Sequence, residues 1–246
     1  MKLLKKLLPL LFALCLFCGC AAKPAGLTVF AAASLTETLT ELGELYEKET
    51  GNKVVFNFDS SGTLQKQIEQ GADCDLFFSA GQKQMDALTD LVTDRVDLLE
   101  NKVVLCGNCA CFDELAERLQ SGTVLLAMGN SDVPVGQYAQ KILSYFGLDE
   151  QALAENGCIS YGSNAKEVTS QVAEGAADCG VIYATDARSA GLAVRDAATE
   201  AMCGRVIYPA AVLKNADPKA SDFLQFCIAH PELFEAAGFT VIAEKE

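Results

Sequence analysis

The sequence predicts an α/β fold in which mostly parallel sheets are flanked by helices. Three observations carry that prediction. Short apolar runs of strand character alternate with amphipathic segments of helical period along the chain. Several junctions between them hold serine, glycine or proline, the residues of strand-to-helix turns. Half of the residues are apolar and 21% are charged, which is ample material for a packed core.

The first junction reads Phe30-Ala31-Ala32-Ala33-Ser34-Leu35. It joins a short apolar strand to a helix in which Leu35, Leu39, Leu42 and Leu45 or Tyr46 recur at helical spacing, with Gly51 as the stop. Ser34 stands at the expected N-cap, where a hydroxyl joins the free amides of the first helical turn. Such a setting collects anions, although a serine there is also an ordinary cap. The layout then repeats. Val54 to Phe58 reads as a strand running into Asp59-Ser60-Ser61-Gly62-Thr63-Leu64, and Leu64 with Ile68 begins a short helix that Gly71 ends. Two strand ends that each deliver hydroxyls and amides describe a crevice at the carboxyl edge of an open α/β sheet, where ligands bind.

Further along, Val133-Pro134-Val135-Gly136-Gln137-Tyr138 opens a helix with proline and glycine in its first turn. Ser163-Asn164-Ala165-Lys166 opens another ahead of Val168 and Val172. Gly180 to Tyr183 is a buried strand whose terminal phenol either reaches the same crevice or packs on its neighbours. Strands are also expected at Val103 to Leu105, Val124 to Ala127, Ile159 to Tyr161 and Val206 to Leu213. Helices are expected at Phe112 to Leu119, Tyr138 to Phe146, Ser221 to Ile228 and Glu232 to Ala236.

These segments, in this order, resemble the molybdate-binding proteins of bacterial ABC importers. The carrying stretches are Thr28 to Leu35, Ser60 to Leu64, Gly71 to Ala80, the Val133 to Gly136 turn and the Val181 to Ala187 strand end. The likeness runs from about Leu27 to Phe239. It implies a two-lobed type II periplasmic-binding-protein fold, each lobe a mostly parallel sheet flanked by helices. One lobe would hold residues 27–104 and 207–246 and the other 105–206, with a hinge of two crossings near Val103 to Cys106 and Arg205 to Pro209. It also implies that Ser34, Ser61, the amides of Val135 and Ala165, and Tyr183 hold a tetrahedral oxyanion, molybdate or tungstate. Another oxyanion such as sulfate is the alternative. The partners implied are an ABC permease and its ATPase, and the protein would act as a monomer with no cofactor.

Charge narrows the function classes. The net charge is −14, and it becomes −17 once the segment bearing Lys2, Lys5 and Lys6 is removed. So acidic a chain is a poor partner for nucleic acid. An anion would have to be captured by local dipoles rather than by net charge. No Gly-x-Ser-x-Gly, His-Glu-x-x-His or P-loop pattern occurs, and His230 is the single histidine, so no enzyme chemistry is expected.

The first nineteen residues read as a signal peptide, three lysines before an apolar run from Leu7 to Phe17. Phe17-Cys18-Gly19-Cys20 resembles a lipoprotein cleavage site. Cys20 would carry the lipid, and residues 20–26 would form a tether to the outer face of the cell membrane. Eight more cysteines follow: Cys74, Cys106, Cys109, Cys111, Cys158, Cys179, Cys203 and Cys227. Eight thiols allow about a hundred pairings, and sequence does not choose among them. The cluster Cys106, Cys109 and Cys111 lacks a nearby fourth metal ligand, so a local disulfide or free thiols is the expectation.

Overall fold

A computed structural model describes residues 26–243, so the signal peptide, Cys20 and most of the tether lie outside the described residues. The chain opens with β1 (Leu27–Ala32), a one-turn 3-10 helix (Ala33–Leu35) and α1 (Thr36–Thr50), which Gly51 ends at φ 74°. Then come β2 (Val54–Asp59), α2 (Ser61–Glu69), β3 (Leu76–Phe78), α3 (Gln82–Asp86) and β4 (Val92–Asn101). The middle of the chain forms β5 (Val103–Gly107), α4 (Phe112–Gln120), β6 (Leu126–Gly129), α5 (Pro134–Tyr145), α6 (Glu150–Glu155), β7 (Ile159–Gly162), α7 (Ala165–Ala173), β8 (Cys179–Tyr183), α8 (Ala184–Ser189), β9 (Val194–Ala197) and α9 (Glu200–Cys203). The last part adds β10 (Val206–Leu213), α10 (Lys219–Ala229), α11 (Pro231–Ala237) and β11 (Thr240–Val241).

Two mixed sheets result. The six-stranded sheet has the order β11-β4-β10-β3-β1-β2, and the five-stranded sheet the order β7-β6-β8-β5-β9. Pairing is parallel among β1, β2 and β3 and among β6, β7 and β8, where helices connect the strands. It turns antiparallel at β10, β4 and β11 and at β5, β8 and β9, the strands flanking the places where the chain passes between sheets. Those passages are Lys102, between β4 and β5, and Gly204-Arg205, ahead of β10. The ten-residue β4 has no counterpart among the strands expected from sequence. Its alternation is broken where Asp94 takes φ 42° and where register shifts interrupt its pairing with β10.

The parallel strands set the site. Ala32 pairs with Asp59 and Ala31 with Phe78, so the ends of β1, β2 and β3 lie side by side at one edge. In the second sheet Gly129 pairs with Gly162, and β8 runs beside β6, which aligns the starts of α5, α7 and α8 in the same way. Apolar faces hold these edges rigid. Val29 and Ala31 pack with Leu35, Leu39 and Leu42 on one face of the first sheet, while Phe30 and Phe77 pack with Leu64, Ile68 and Met85 on the other. In the second sheet Val104, Cys106 and Ile182 pack with Val168 and Val172, opposite the large cluster that includes Val103, Leu105 and Val181.

One buried carboxylate stitches the first half together. Asp75 is 1% exposed, and it accepts the Thr28 amide at 2.8 Å and the Asp217 amide at 2.9 Å, tying the start of β1 to the turn before α10. An amide bonded to a carboxylate contributes about 1.5–3 kcal/mol. Asp75→Ala leaves both amides buried without an acceptor and should destabilise the fold by about 3 kcal/mol or more, read as a lowered denaturant midpoint at unchanged slope.

Candidate functional site

The two carboxyl edges face one another across a cleft, and a small cavity of about 10 Å³ lies where they meet. Ala32, Ala33, Ser34, Asp59, Ser60, Ser61 and Ala80 line it from the first half, and Val133, Pro134, Ala165 and Tyr183 from the second. Of the five residues proposed from sequence, Ser34, Ser61, Ala165 and Tyr183 thus meet around one space. Val135 does not line it; its neighbours Val133 and Pro134 do, and Val135 lies fully buried in the first turn of α5.

The two serines stand there for different reasons. Ser34 is not a helix cap. It lies inside the 3-10 turn, and its Oγ is 3.0 Å from the Tyr208 hydroxyl. At the second junction the cap is Ser60, whose Oγ accepts the Thr63 amide at 3.1 Å, which leaves Ser61 for the cavity. Ser61 Oγ accepts the Ala80 amide at 2.9 Å.

The polarity of these bonds decides what the hydroxyls can do. The Lys102 amide donates to Asn101 Oδ1 at 2.8 Å, so the other end of that side chain, Nδ2, is the donor. Nδ2 gives one hydrogen to Thr185 Oγ1 at 2.9 Å and one to the Tyr208 hydroxyl at 3.2 Å. The Tyr208 hydroxyl thus accepts from Asn101, and its 3.0 Å contact with Ser34 Oγ can run in either direction, since a hydroxyl keeps a second lone pair as well as its hydrogen. Ser61 accepts from the Ala80 amide, which leaves its hydrogen for the cavity.

The second half adds the first-turn amides of α5 and α7, which have no intrahelical acceptors. Asn164 caps α7 by accepting the Glu167 amide at 3.0 Å, and this orients that turn toward the cleft. Tyr183 is 1% exposed and donates to the Ala80 carbonyl at 3.4 Å, so it spans the cleft. Burial holds its phenol, like that of Tyr208, well above the usual tyrosine range, so both remain neutral donors. No lysine or arginine lines the cavity among the described residues. Asp59 does line it, with Oδ1 accepting the Ser60 amide at 2.6 Å.

The cleft is closed. A Cβ added at Gly62 would lie 2.1 Å from the Asp132 carbonyl oxygen of the facing half. Two ion pairs flank the closure, Lys66 with Asp132 at 2.7 Å and Lys166 with Glu37 at 2.8 Å. Their partly exposed side chains make each pair worth about 0–1 kcal/mol, so they select the closed register more than they enforce it. Lys166, adjacent to a proposed contact in sequence, therefore spends its ammonium on carboxylates.

A larger groove of about 540 Å³ runs between the halves past Gln82, Gln137, Lys141 and Arg205. Of the cations that line it, Arg205 is engaged with Glu100 at 2.7 Å and Lys141 with the Cys203 carbonyl at 3.3 Å, and the helix starts converge on the small cavity instead. Among the described residues no group of histidine, cysteine or acidic side chains could hold a metal ion. His230 Nδ1 lies 2.8 Å from the Phe226 carbonyl, within α10 and its cap.

Asp186, in the first turn of α8, gave no signal in the sequence. It is 1% exposed and lies 3.3 Å from Lys166 Nζ, and neither of its oxygens has an aligned hydrogen bond. Burial pushes its pKa from 3.8 up to about 6, against the pull of the Lys166 ammonium. Between those values the folded chain holds the extra proton, so stability falls as pH rises through that window and stays lower above it. Asp186→Asn should raise stability at pH 7 by roughly 2–3 kcal/mol and flatten the melting temperature between pH 4 and 6. Thermal unfolding across that range checks both.

Comparison with known proteins agrees with this architecture. The family model described as bacterial extracellular solute-binding protein matches residues 27–240. The molybdate-binding protein ModA of Escherichia coli (strain K12) is 34% identical over 232 residues, which cover 87% of this chain and 89% of the relative. A Bacillus subtilis (strain 168) protein provisionally named the ABC transporter substrate-binding lipoprotein YvgL is 32% identical over 235 residues, 89% of this chain and 87% of its own length. In structure, the periplasmic molybdate-binding protein of Azotobacter vinelandii superposes with a TM-score of 0.75 at 24% identity, covering 88% of this chain and all of that one. With a matching family model over nearly the whole described chain and relatives of this identity and coverage, the chain belongs to the bacterial extracellular solute-binding protein family.

Proposed function

We propose that this protein captures molybdate or tungstate in the closed cleft and delivers it to an ABC permease driven by its ATPase. The observation that carries the reading is the convergence of Ser34, Ser61 and the starts of two helices on one cavity that, among the described residues, no lysine or arginine lines. Ser61 Oγ already accepts the Ala80 amide from behind, so it offers its hydrogen to a group that only accepts. A fully deprotonated tetrahedral oxyanion is such a group. The first-turn amides at Val135 and Ala165 complete the proposed shell with the neutral phenol of Tyr183, which would turn its hydrogen from the Ala80 carbonyl to the anion, and the helix starts supply partial positive charge. An acidic protein can hold a dianion in this way because every ligand group is a neutral donor.

In this reading the six-stranded sheet forms one lobe and the five-stranded sheet the other, hinged at Lys102 and Gly204-Arg205, so that against the bounds expected from sequence (27–104 with 207–246, and 105–206) Val103 and Val104 go with the second lobe and Val206 with the first. The bound anion bridges the lobes and favours the closed form, which the permease recognises. The protein acts as a monomer, carries no cofactor and does no chemistry on its cargo. Cys20 carries a lipid that keeps the protein on the outer face of the membrane, and the lipoprotein name of the Bacillus relative supports this. Cys20→Ala should then release the protein from membranes, whereas Cys18→Ala should not.

Calorimetric titration with molybdate, tungstate, sulfate and phosphate tests the ligand. Molybdate and tungstate should bind tightly and sulfate weakly, since neutral donors discriminate by cavity size; equal affinity for sulfate would overturn the assignment. Asp59 favours a second reading, because a carboxylate in the lining can accept the proton of hydrogen phosphate. Phosphate binding that vanished with Asp59→Asn would support it. Ser34→Ala and Ser61→Ala should each cost about 1.5–3 kcal/mol of binding, roughly ten- to more than a hundredfold in affinity, and each should also lower the stability of the unliganded fold by about 1–3 kcal/mol, since it leaves the buried Tyr208 hydroxyl or Ala80 amide without that partner. Tyr208→Phe should weaken binding less, because Ser34 then loses its fixed orientation rather than its hydroxyl.

A further inference from the structure

The sheets sort the cysteines. All eight in the described residues are free thiols. In the antiparallel pair of β5 and β8, Gly107 stands opposite Cys179 and Cys106 opposite Gly180. Cys179 belongs to the large core cluster with Val103, Leu105 and Val181, whereas Cys106 packs on the other face with Val104 and Ile182. The nearest thiol in register is thus on the wrong side of the sheet to meet Cys179.

Cys109 is on the right side. Gly107 takes φ +105°, and a Cβ there would lie 2.2 Å from the Asp178 carbonyl oxygen and 2.7 Å from Cys179 Cα. The end of β5 therefore lies directly on the start of β8, and the Asn108 amide donates to the Asp178 carbonyl at 2.9 Å. This turn carries Cys109 back into the large cluster, where its Sγ is 2.8 Å from Cys179 Sγ, both residues being 1% exposed or less. Elsewhere the thiols face backbone carbonyls: Cys74 that of Leu76, Cys158 that of Asn156 and Cys203 that of Gly204.

We propose that Cys109 and Cys179 are joined as a disulfide when the chain folds in the presence of a disulfide-bearing oxidant. Members of an extracellular family meet such oxidants. The thiolate of Cys109 attacks one sulfur of the oxidant and expels the other as a thiolate. The thiolate of Cys179 then attacks Cys109 Sγ in the mixed disulfide and expels the second. The two cysteines lose two electrons and two protons, and the oxidant leaves as two thiols. In the folded chain burial pushes the Cys109 thiol up to about 12, so exchange belongs to the stage before the turn at Gly107 closes, and the finished bond is shielded from reductant. The link would anchor the base of β8, the strand that ends at Tyr183. It does not rest on the ligand reading.

The test is to refold the full chain with oxidised glutathione or with dithiothreitol, denature it in N-ethylmaleimide, and map the peptides without reduction. The expected product of the oxidised arm is one cross-linked species containing Cys109 and Cys179, the only two of the eight thiols between residues 26 and 243 to be protected. A linkage enclosing some seventy residues should raise the melting temperature by about 5–15 °C over the reduced arm. Cys109→Ser and Cys179→Ser should each abolish that difference and the double variant should lose no more, while Cys106→Ser keeps it. A Cys109–Cys111 link, a link through Cys106, or alkylation of all eight thiols after oxidative refolding would overturn the proposal.

Discussion

A single chain of hydrogen bonds holds the first serine at the cavity, and much of the site depends on it. It starts at a backbone amide, Lys102, at one of the two places where the chain passes between sheets. From there it runs through Asn101 and Tyr208 to Ser34. Asn101, Tyr208 and Ser34 are all buried, and the direction is fixed as far as Tyr208, which accepts from Asn101 Nδ2. A serine hydroxyl in water turns freely, whereas here the Tyr208 contact keeps it in one place. Polar groups held in position in this way need no rearrangement when charge arrives.

The same logic extends across the cleft. Ala80 gives its amide to Ser61 and offers its carbonyl to Tyr183, so the two peptide groups flanking one residue of the first half orient a hydroxyl from each half. The tyrosine rings that support this contact are packed edge to face, Tyr183 against Tyr208 at 5.6 Å and Tyr208 against Phe239 at 5.3 Å. The polar wall of the cavity is therefore backed by aromatic packing that excludes water and keeps the phenols neutral. Ion pairs at the rim add register, and at their exposure they add little energy.

What the sequence disclosed and what it concealed divide by distance along the chain. The strand-to-helix junctions at Ser34, Ser61, Pro134 and Ala165 are local chemistry, and turn residues beside an apolar run announce them. Tyr208 and Asn101 are separated from the groups they orient by 174 and 107 residues. Tyr208 sits in a fully buried strand where nothing distinguishes it from a packing residue. Asp186 likewise gains its meaning from Lys166 and from the burial around it. Cys109 and Cys179 are 70 residues apart, and only the sheet face tells Cys109 from Cys106. The alternation of strands and helices suggested parallel sheets, but at the passages between halves the strands arrive antiparallel, which no local pattern encodes.

Gly62 carries a consequence of its own. It lies in the first turn of α2, where alanine would ordinarily suit the helix better. What forbids a side chain is a carbonyl oxygen from the other half, 2.1 Å from where the Cβ would be. A methyl group there would be invisible to the unfolded chain and to the folding of the first half, and would act as a doorstop between the halves. The identity of that residue is thus dictated by a carbonyl seventy positions further along the chain rather than by the helix it belongs to.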